Sequence, residues 1–202
     1  MARWEPNAVD RLQEAALELY RDPGYDKVTV AQLAARAGLT RRTFFRYFTD
    51  KREVLFFGAD RVEALVRDGI HAAPDGLSPL EVVASSLAVI ARFSDEDRDH
   101  AAYVRARHAA IQANAELRER DLAKHASLAA VIAEALRGRG IAEPAATLAA
   151  EAGLLGFRVG FERWVADPKR KKMEAHVGEA MRCLGSVVQP TTPRRPARPR
   201  RA

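Results

Sequence analysis

The sequence predicts an all-α protein in which an amino-terminal helix-turn-helix domain of three short helices precedes a larger helical domain, with about nine helices in total. Two observations support this prediction. Residues that favour helices, among them Ala, Leu, Arg and Glu, dominate the 202-residue chain, and no run of alternating Val, Ile and Thr marks a strand. Apolar residues also recur at helical spacing in segments that Gly, Pro, Asp and Asn separate.

The two helices at the amino-terminal end are predicted from their caps. The first runs from about Ala8 to Tyr20, with Asn7 as its cap. The second opens at Thr29, and Gln32 three residues later completes the pattern of a capping box. Each helix has one apolar face, so we expect both to pack on a common core.

A tight turn leads to the third helix. Gly38 ends the second helix and Thr40 caps the next almost at once, so the segment has the spacing of a helix-turn-helix motif. Asp50 and Glu53 then predict a fourth helix that continues to about His71.

The rest of the chain contains five longer helical patterns. They are predicted near 78–94, 96–113, 116–138, 144–166 and 171–188. The predicted division is a helix-turn-helix domain over 1–50, a second helical domain over 51–189 and a disordered tail, rich in Pro and Arg, over 190–202.

The net charge of +6 is concentrated in two places. The tail holds five arginines and no acid, and subtracting these from +6 leaves only +1 for the remaining residues. The tail could contact DNA non-specifically, touch an acidic surface or only aid solubility. From Arg36 to Arg52 there are six basic residues and one acidic residue, a local charge of +5.

The sequence argues against an enzyme, a metal protein and a membrane protein. It contains no phosphate-binding glycine loop, no Gly-x-Ser-x-Gly, no His-Glu-x-x-His and no pair of histidines at i, i+4. A single cysteine, Cys183, excludes an intrachain disulfide and a cysteine-built zinc site. With no signal pattern and no apolar run long enough to span a membrane, we expect a cytoplasmic protein without catalytic residues or cofactor.

The segment GLTRRTFFRYF, residues 38–48, is unusually rich in aromatic and basic residues. On a helix after Thr40, Phe44 and Phe48 lie one turn apart on one face, where we expect them to fill the core with Leu12 and Leu33. The remaining surface of the helix then carries six residues: Arg41, Arg42, Thr43, Phe45, Arg46 and Tyr47.

Those arginines could simply be solvent-exposed surface residues, but three observations favour a helix that binds nucleic acid. The local charge is strongly positive in an otherwise nearly neutral chain. An exposed Phe45 beside Tyr47 has little purpose on a solvated helix, whereas aromatic rings pack well on sugar and phosphate. The preceding helix and turn would also present this helix to the major groove of DNA.

The segment TVAQLAARAGLTRRTFFRYFTDKREVLF, residues 29–56, resembles the DNA-binding region of TetR-family transcriptional regulators, and the likeness extends back to about Asn7. Members of this family are all-α and usually homodimeric, and their divergent carboxy-terminal domain binds a small-molecule inducer. The resemblance implies a ligand-responsive, sequence-specific DNA-binding regulator, most often a repressor released from a palindromic operator.

The resemblance also implies contacts for individual residues. Thr29 and Lys51 would each bind a phosphate. Four residues at the start of the third helix would approach base edges, where arginine favours guanine. These four are Thr40, Arg41, Arg42 and Thr43.

Two aromatic positions depart from the family's usual residues. Phe45 and Tyr47 stand where the family most often has Tyr and His, so Phe45 lacks a hydroxyl contact, although both rings would still pack on the DNA backbone. Arg46 could contact either backbone or bases. Arg3 could reach a phosphate or the minor groove, or lie in a disordered arm.

Dimerisation is expected on physical grounds, because one helix-turn-helix makes too few base contacts to select a genomic site. By resemblance, the last two long helices would pair with those of a partner. Their predicted interface residues are Gly156, Gly160, Val177, Ala180, Met181, Leu184 and Val188. The alternative is that this face packs only within its own subunit.

Aromatic and polar side chains of the second domain are the predicted lining of an inducer pocket. They are Phe93, Tyr103, His108, Gln112, Phe157, Phe161 and Trp164, each of which could equally be ordinary core. Arg158 could anchor an anionic inducer or pair with Glu162 one turn further on.

A further resemblance concerns the inducer. The segment NAELRERDLAKHASLAAVIAEAL, residues 114–136, and the later Arg163–Trp164 pair resemble the carboxy-terminal region of an actinobacterial TetR subgroup that includes regulators responding to acyl-coenzyme A. The resemblance implies acyl-coenzyme A or another hydrophobic acid as the inducer.

The expected mechanism is a population switch. The inducer would favour a dimer geometry whose two recognition helices no longer match the operator half-sites, with the fourth helix as the lever. The alternative is a ligand-independent architectural protein that coats DNA through the helix-turn-helix and the basic tail. Strong salt dependence with little sequence discrimination would identify that protein.

Overall fold

The computed structural model describes residues 7–96, 98–169 and 171–188, and within them every regular element is helical, so the all-α prediction is confirmed. The α-helices of these residues are α1 (Ala8–Leu19), α2 (Val30–Arg36), α3 (Arg41–Tyr47), α4 (Ala59–Ala72), α5 (Pro79–Glu96), α6 (Arg98–Ala113), α7 (Ala115–Gly138), α8 (Ala145–Ala166) and α9 (Met173–Val188). Arg3 and the predicted tail over 190–202 lie outside the described residues.

The first helix begins as its sequence predicts. The side chain of Asn7 accepts hydrogen bonds from the backbone N–H groups of Val9 at 2.9 Å and Asp10 at 3.0 Å. Leu12 and Ala16, one turn apart, are completely buried. The apolar face of α1 therefore forms one wall of the amino-terminal core.

The prediction of a fourth helix that starts near residue 51 is wrong. Asp50 does act as a cap, accepting from the backbone N–H of Arg52 at 2.8 Å, but the turn it caps is only a short 3-10 segment over Glu53–Phe56. All three of its apolar residues are buried, and consecutive residues cannot share one face of an α-helix. Gly58, whose φ of 87° is left-handed, then separates this turn from the start of α4.

Buried apolar residues fall into three clusters. The first core joins α1, α2, α3 and the turn over 53–56 with one residue each of α6 and α7. The second core joins α4, α5, α7 and α8, and the third surrounds Trp164 of α8 with residues of α5 and α9. Residues 54–56 thus belong to the amino-terminal core, which extends beyond the predicted boundary at residue 50.

Long-range polar contacts hold the long helices together. The guanidinium of Arg139, just beyond α7, donates to the carbonyl oxygens of Ile70 at 3.0 Å and Ala73 at 2.8 Å, so it caps the end of α4. Asp95 of α5 accepts from the backbone N–H groups of Met173 at 2.7 Å and Glu174 at 3.0 Å, so it caps the start of α9.

Candidate nucleic-acid interface

The helix-turn-helix is built from the local contacts that its sequence predicts. The Thr29 hydroxyl accepts from the backbone N–H of Gln32 at 3.2 Å, and the Gln32 side chain accepts from the backbone N–H of Thr29 at 2.8 Å, which completes the capping box. Gly38, with a φ of 65°, makes the left-handed turn that ends α2. Thr40 then caps α3 by accepting from the backbone N–H of Thr43 at 3.1 Å.

One face of α3 is core, as predicted. Phe44 and Phe48 are buried, and their ring centroids lie 5.5 Å apart. Both belong to the first core together with Leu12, Leu33 and Ala37. Aromatic side chains packed on α1 and α2 therefore fix the orientation of α3 about its own axis.

The other face of α3 is a continuous exposed surface. Phe45 is 51% exposed and Tyr47 38%. Arg46 donates to the Tyr47 hydroxyl at 2.7 Å, and its guanidinium carbon lies 4.8 Å from the centre of that ring. The remaining exposed residues of this surface are Thr40, Arg41 and Arg42. We call this set, with Thr43, the outer face of α3.

The side chain of Lys51, predicted to bind a phosphate, is also hydrogen-bonded within the protein. Its ammonium donates to the backbone carbonyls of Tyr25 at 2.8 Å and Val28 at 3.0 Å, and lies 4.0 Å from the centre of the Tyr25 ring. An ammonium has three N–H groups, so one remains for a phosphate. The backbone carbonyl oxygen of Lys51 accepts a hydrogen bond from the Tyr20 hydroxyl. Burial raises the pKa of that hydroxyl above its usual range.

A set of polar contacts that was not predicted from the sequence joins the residues around the helix-turn-helix to α7. The Tyr25 hydroxyl donates to Glu116 at 3.0 Å, and Arg52 lies 3.4 Å from the same carboxylate. Arg120 donates to both oxygens of Glu53, at 2.6 and 3.0 Å. We call these contacts the α7 strap. Its partners lie far apart in sequence, so no local pattern could reveal them.

The α7 strap borders an open cleft of about 460 Å³. The lining residues are Thr49, Asp50, Arg52, Glu53, Glu119, Arg120 and Ala123. The strap itself engages Arg52, Glu53 and Arg120 in ion pairs. An apolar inducer would find little surface to cover here.

Helix α6 lies between the first and third cores. Ile111 is buried in the first core with Ala110 beside it, while Ala101 and Val104 pack against the third core. Arg107 reaches back to the amino-terminal unit, where its Nε donates to the carbonyl of Leu55. A displacement of α6 would therefore change the packing of both cores.

Four of the predicted pocket residues lie together. Phe161 stands between Phe157, with centroids 6.5 Å apart, and Trp164, at 5.8 Å. His108 of α6 meets the Phe161 ring edge-on at 5.2 Å, and burial lowers the pKa of its imidazole. The guanidinium carbon of Arg105 lies 3.7 Å from the centre of the Trp164 ring. We call these five residues the aromatic cluster.

The other predicted pocket residues lie elsewhere. Phe93 is 54% exposed, and Gln112 is exposed as well. The Tyr103 hydroxyl is buried on the side of α6 that carries Arg107, so it faces away from the aromatic cluster. Arg158 is exposed and pairs with Glu162 at 3.5 Å, which is the alternative that the sequence left open.

Most of the predicted interface residues are used inside the chain. A Cβ at Gly160 would lie 2.5 Å from the Cα of Val177, and one at Gly156 would lie 2.7 Å from the sulfur of Met181. The glycines thus allow α9 to pack closely on α8. Ala180 is buried and Leu184 half-buried, and the side chain of Val188 lies outside the described part of the structure.

Other apolar side chains of α8 are left uncovered. Leu148, Leu155 and Val159 recur at helical spacing and are 64%, 44% and 39% exposed. Val187 of α9 is also exposed. We call the three residues on α8 the α8 stripe.

Two possible sites find no support in the described residues. No group of three or more His, Cys, Asp or Glu side chains there could hold a metal ion. None of the helices described combines the length and the apolar character needed to cross a bilayer.

The amino-terminal region matches a known family of proteins. The family model described as "Bacterial regulatory proteins, tetR family" matches residues 12–56. The HTH-type transcriptional regulator TcmR of Streptomyces glaucescens is 33% identical over 87 residues, 43% of this chain and 38% of TcmR. BetI of Cronobacter sakazakii is 29% identical over 96 residues, 48% of each protein. The matched segment spans less than half the length of these relatives.

Solved structures share the fold over nearly the whole chain. FadR of Bacillus halodurans has a TM-score of 0.60 at 18% identity, covering 93% of this chain and 99% of FadR. SmeT of Stenotrophomonas maltophilia, in complex with triclosan, has a TM-score of 0.61 at 18% identity, covering 90% and 91%. FadR of Thermus thermophilus, in complex with lauroyl-CoA, has a TM-score of 0.56 at 22% identity, covering 95% and 99%.

The match to the family model begins within α1 and ends at the 3-10 turn over Glu53–Phe56, so it covers the elements that build and orient the outer face of α3. The helices behind it have the fold of the solved regulators. The amino-terminal region of this chain is therefore similar to the helix-turn-helix region of TetR-family regulators, and the chain as a whole shares the fold of solved members of that family.

Proposed function

We propose that this protein is a sequence-specific DNA-binding transcriptional regulator, active as a homodimer, and that a small hydrophobic or anionic inducer releases it from a palindromic operator. It acts by binding, without a catalytic step, in the cytoplasm. The observation that carries the proposal is the outer face of α3, because it is basic, exposed and fixed in orientation by the buried Phe44 and Phe48.

The DNA contacts divide by their position on α3. Thr29 and Thr40, at the starts of α2 and α3, place hydroxyls and backbone N–H groups where a phosphate can approach. Arg42 and Arg46 point most directly away from the buried Phe44, so they reach furthest into a groove. Arginine binds guanine through two hydrogen bonds, which would give the protein its sequence preference.

The α8 stripe supports dimerisation. Three exposed apolar side chains in line on one helix are costly in water, and a second copy related by a two-fold axis would cover them with the same residues. The predicted residues Gly156, Gly160 and Val177 contribute indirectly, because they position α9 beside the stripe. Two half-sites one helical turn apart would then face the paired recognition helices.

The aromatic cluster is the best-supported place for the inducer. It combines apolar rings with the Arg105 guanidinium, which suits a hydrophobic molecule with an acidic group. Lauroyl-CoA in Thermus thermophilus FadR is a ligand of this chemistry, and triclosan in SmeT is a smaller hydrophobic one. These neighbours support a hydrophobic inducer, and acyl-coenzyme A remains one candidate among such molecules.

Helix α6 is the proposed route from inducer to DNA. It contributes His108 to the aromatic cluster and Ile111 to the first core, so movement at one reaches the other. Helix α4, the lever expected from sequence, is fastened to α7 by Arg139 and by the Lys124–Asp60 pair at 3.7 Å. We therefore place the moving element at α6, with α4 following through α7.

Selection of bound sequences from a random duplex pool, at near-physiological salt, tests the DNA-binding part of the proposal. A palindrome with half-sites about one turn apart is expected. Arg42→Ala should weaken binding to that site about 10- to 100-fold, whereas Arg137→Ala, on an exposed part of α7, should leave it unchanged. Binding without any enriched sequence would contradict the proposal and favour the architectural protein that coats DNA.

Inducer coupling is tested separately. Candidate acyl-coenzyme A esters and free fatty acids are titrated into the protein with and without the selected duplex. Since linkage is reciprocal, an inducer must bind the operator complex more weakly than the free protein. Equal affinities for every bound compound would exclude induction by these molecules.

A further inference from the structure

Phe45 is an unusual residue for its position. It is 51% exposed on the outer face of α3 and carries no polar atom, whereas Arg42 and Arg46 beside it are charged. An exposed phenylalanine gains free energy only where apolar surface covers it. On a helix that faces DNA, its ring would be stabilised by an apolar partner on the DNA.

The Phe45 ring is supported from within the protein by a neighbouring aromatic ring. It meets the buried Phe44 ring edge-on, with centroids 5.3 Å apart and planes at 86°. Phe44 is completely buried, so it offers a fixed support. An aromatic side chain that is already fixed loses little conformational entropy on binding.

Helical geometry places Phe45 next to Arg42. The two residues are three apart, which puts their side chains about 60° from one another around α3, one above the other. When Arg42 reaches a base edge, Phe45 is directed to a nearby base pair along the same groove. The sugar–phosphate wall is further around the helix, toward Thr40 and Arg41.

The major groove offers few apolar groups. Of the four base-pair orientations, only those with thymine present a methyl group, at C5, among hydrogen-bond donors and acceptors. We propose that Phe45 reads the 5-methyl group of one thymine in each operator half-site, which makes it a specificity-determining residue. This inference rests on the proposed function, since it requires a sequence-specific DNA complex.

The test uses the duplex selected from the random pool. Each thymine of one half-site is replaced in turn by deoxyuridine, which removes the methyl group and leaves the hydrogen-bonding edges unchanged. Loss of one buried methyl corresponds to about fourfold weaker binding. We expect this loss at one thymine for the wild-type protein, and no difference between thymine and uracil for Phe45→Ala.

Two further variants sharpen the result. Phe45→Leu keeps an apolar side chain and should retain part of the discrimination, while Leu122→Ala, at an exposed apolar position of α7 outside the outer face of α3, should retain all of it. Because Phe45 is exposed, Phe45→Ala should fold normally, which circular dichroism verifies.

The outcomes separate the inference from the function. If a site is selected but no uracil replacement weakens binding, or if Phe45→Ala still prefers thymine, Phe45 packs on the sugar–phosphate wall and the inference is overturned. If no site is selected at all, the proposed sequence-specific regulator fails together with it.

Discussion

Glu53 and Arg120 are joined at two points although 67 residues of sequence separate them: Nε of Arg120 donates to one carboxylate oxygen at 2.6 Å and Nη2 to the other at 3.0 Å. Glu53 lies in the short turn that follows α3, and Arg120 lies in the second turn of α7. The pair therefore connects the amino-terminal helix-turn-helix with the long helix α7.

We predict that this pair couples the stabilities of the two parts. A double-mutant cycle of Glu53→Gln and Arg120→Gln, followed by urea unfolding, should give an interaction free energy of about 1 kcal/mol, because the pair is two-pronged and partly shielded from solvent. The more exposed Glu134–Arg137 pair is the control and should give no measurable coupling. Equal results for the two pairs would contradict the prediction.

Arg139 is predicted to be important for the stability of α4. Only 17% of its side chain is exposed, and it donates to the carbonyls that end α4. Arg139→Ala should lower the free energy of unfolding by about 2 kcal/mol, because the charged hydrogen bonds to these carbonyls are lost. Arg139→Lys should recover only part of this, since one ammonium cannot span the same acceptors.

Hydrogen exchange locates the effect of Arg139→Ala. Protection of the backbone amides in the last turn of α4 should fall before protection of α1 does. Arg137→Ala, two residues away and on the surface, is the matched control and should change neither quantity appreciably. Uniform loss of protection across all helices would argue against a local capping role.

Gly160 is predicted to be intolerant of any side chain. A Cβ there would lie 2.5 Å from the Cα of Val177 and 2.9 Å from the carbonyl oxygen of His176, both of them backbone atoms that can move only with α9. Gly160→Ala should therefore destabilise the protein by about 1–3 kcal/mol. Gly185→Ala, at a helical position with no neighbour within 4 Å, should instead stabilise it slightly. Thermal unfolding of the two variants measures both signs.

The helix-turn-helix could be predicted from sequence because its determinants are local. The capping box of Thr29 and Gln32, the left-handed Gly38 and the cap at Thr40 all act within four residues. The start of α4 could not be predicted from the sequence. The capping pattern of Asp50 and Glu53 is the same whether a long helix or a short turn follows. Burial of three consecutive residues against a distant core decides between them.

The positions of the carboxy-terminal helices could be predicted from the sequence, but which helices pack against one another could not. The pattern of Gly156, Gly160 and Val177 indicates a closely packed face, and it is identical whether the packing is within the chain or between chains. The structure places α9 of the same chain on that face and leaves the α8 stripe exposed. Long-range polar contacts such as the α7 strap have no periodicity at all, so only the folded structure reveals them.

Asp167, between α8 and α9, is predicted to make the stability of the α8–α9 connection depend on pH. Its carboxylate accepts from His176 at 2.9 Å and from the backbone N–H groups of Lys169 and Lys171, at 2.8 and 3.1 Å. The hydrogen bond with His176, followed by those from the backbone, lowers the pKa of Asp167 from 3.8 to about 2.

The sign of the effect follows from this lowered pKa. The folded state holds the proton less tightly than the unfolded state, so the stabilisation by Asp167 is complete above about pH 5 and is lost as the pH falls from 3.8 toward 2. Urea midpoints measured from pH 6 to pH 2.5 should fall more steeply for the wild type than for Asp167→Asn, which has no proton to gain. Asp68→Asn, at an exposed position of α4, should follow the wild-type curve. If Asp167→Asn follows it too, the carboxylate does not contribute through its charge.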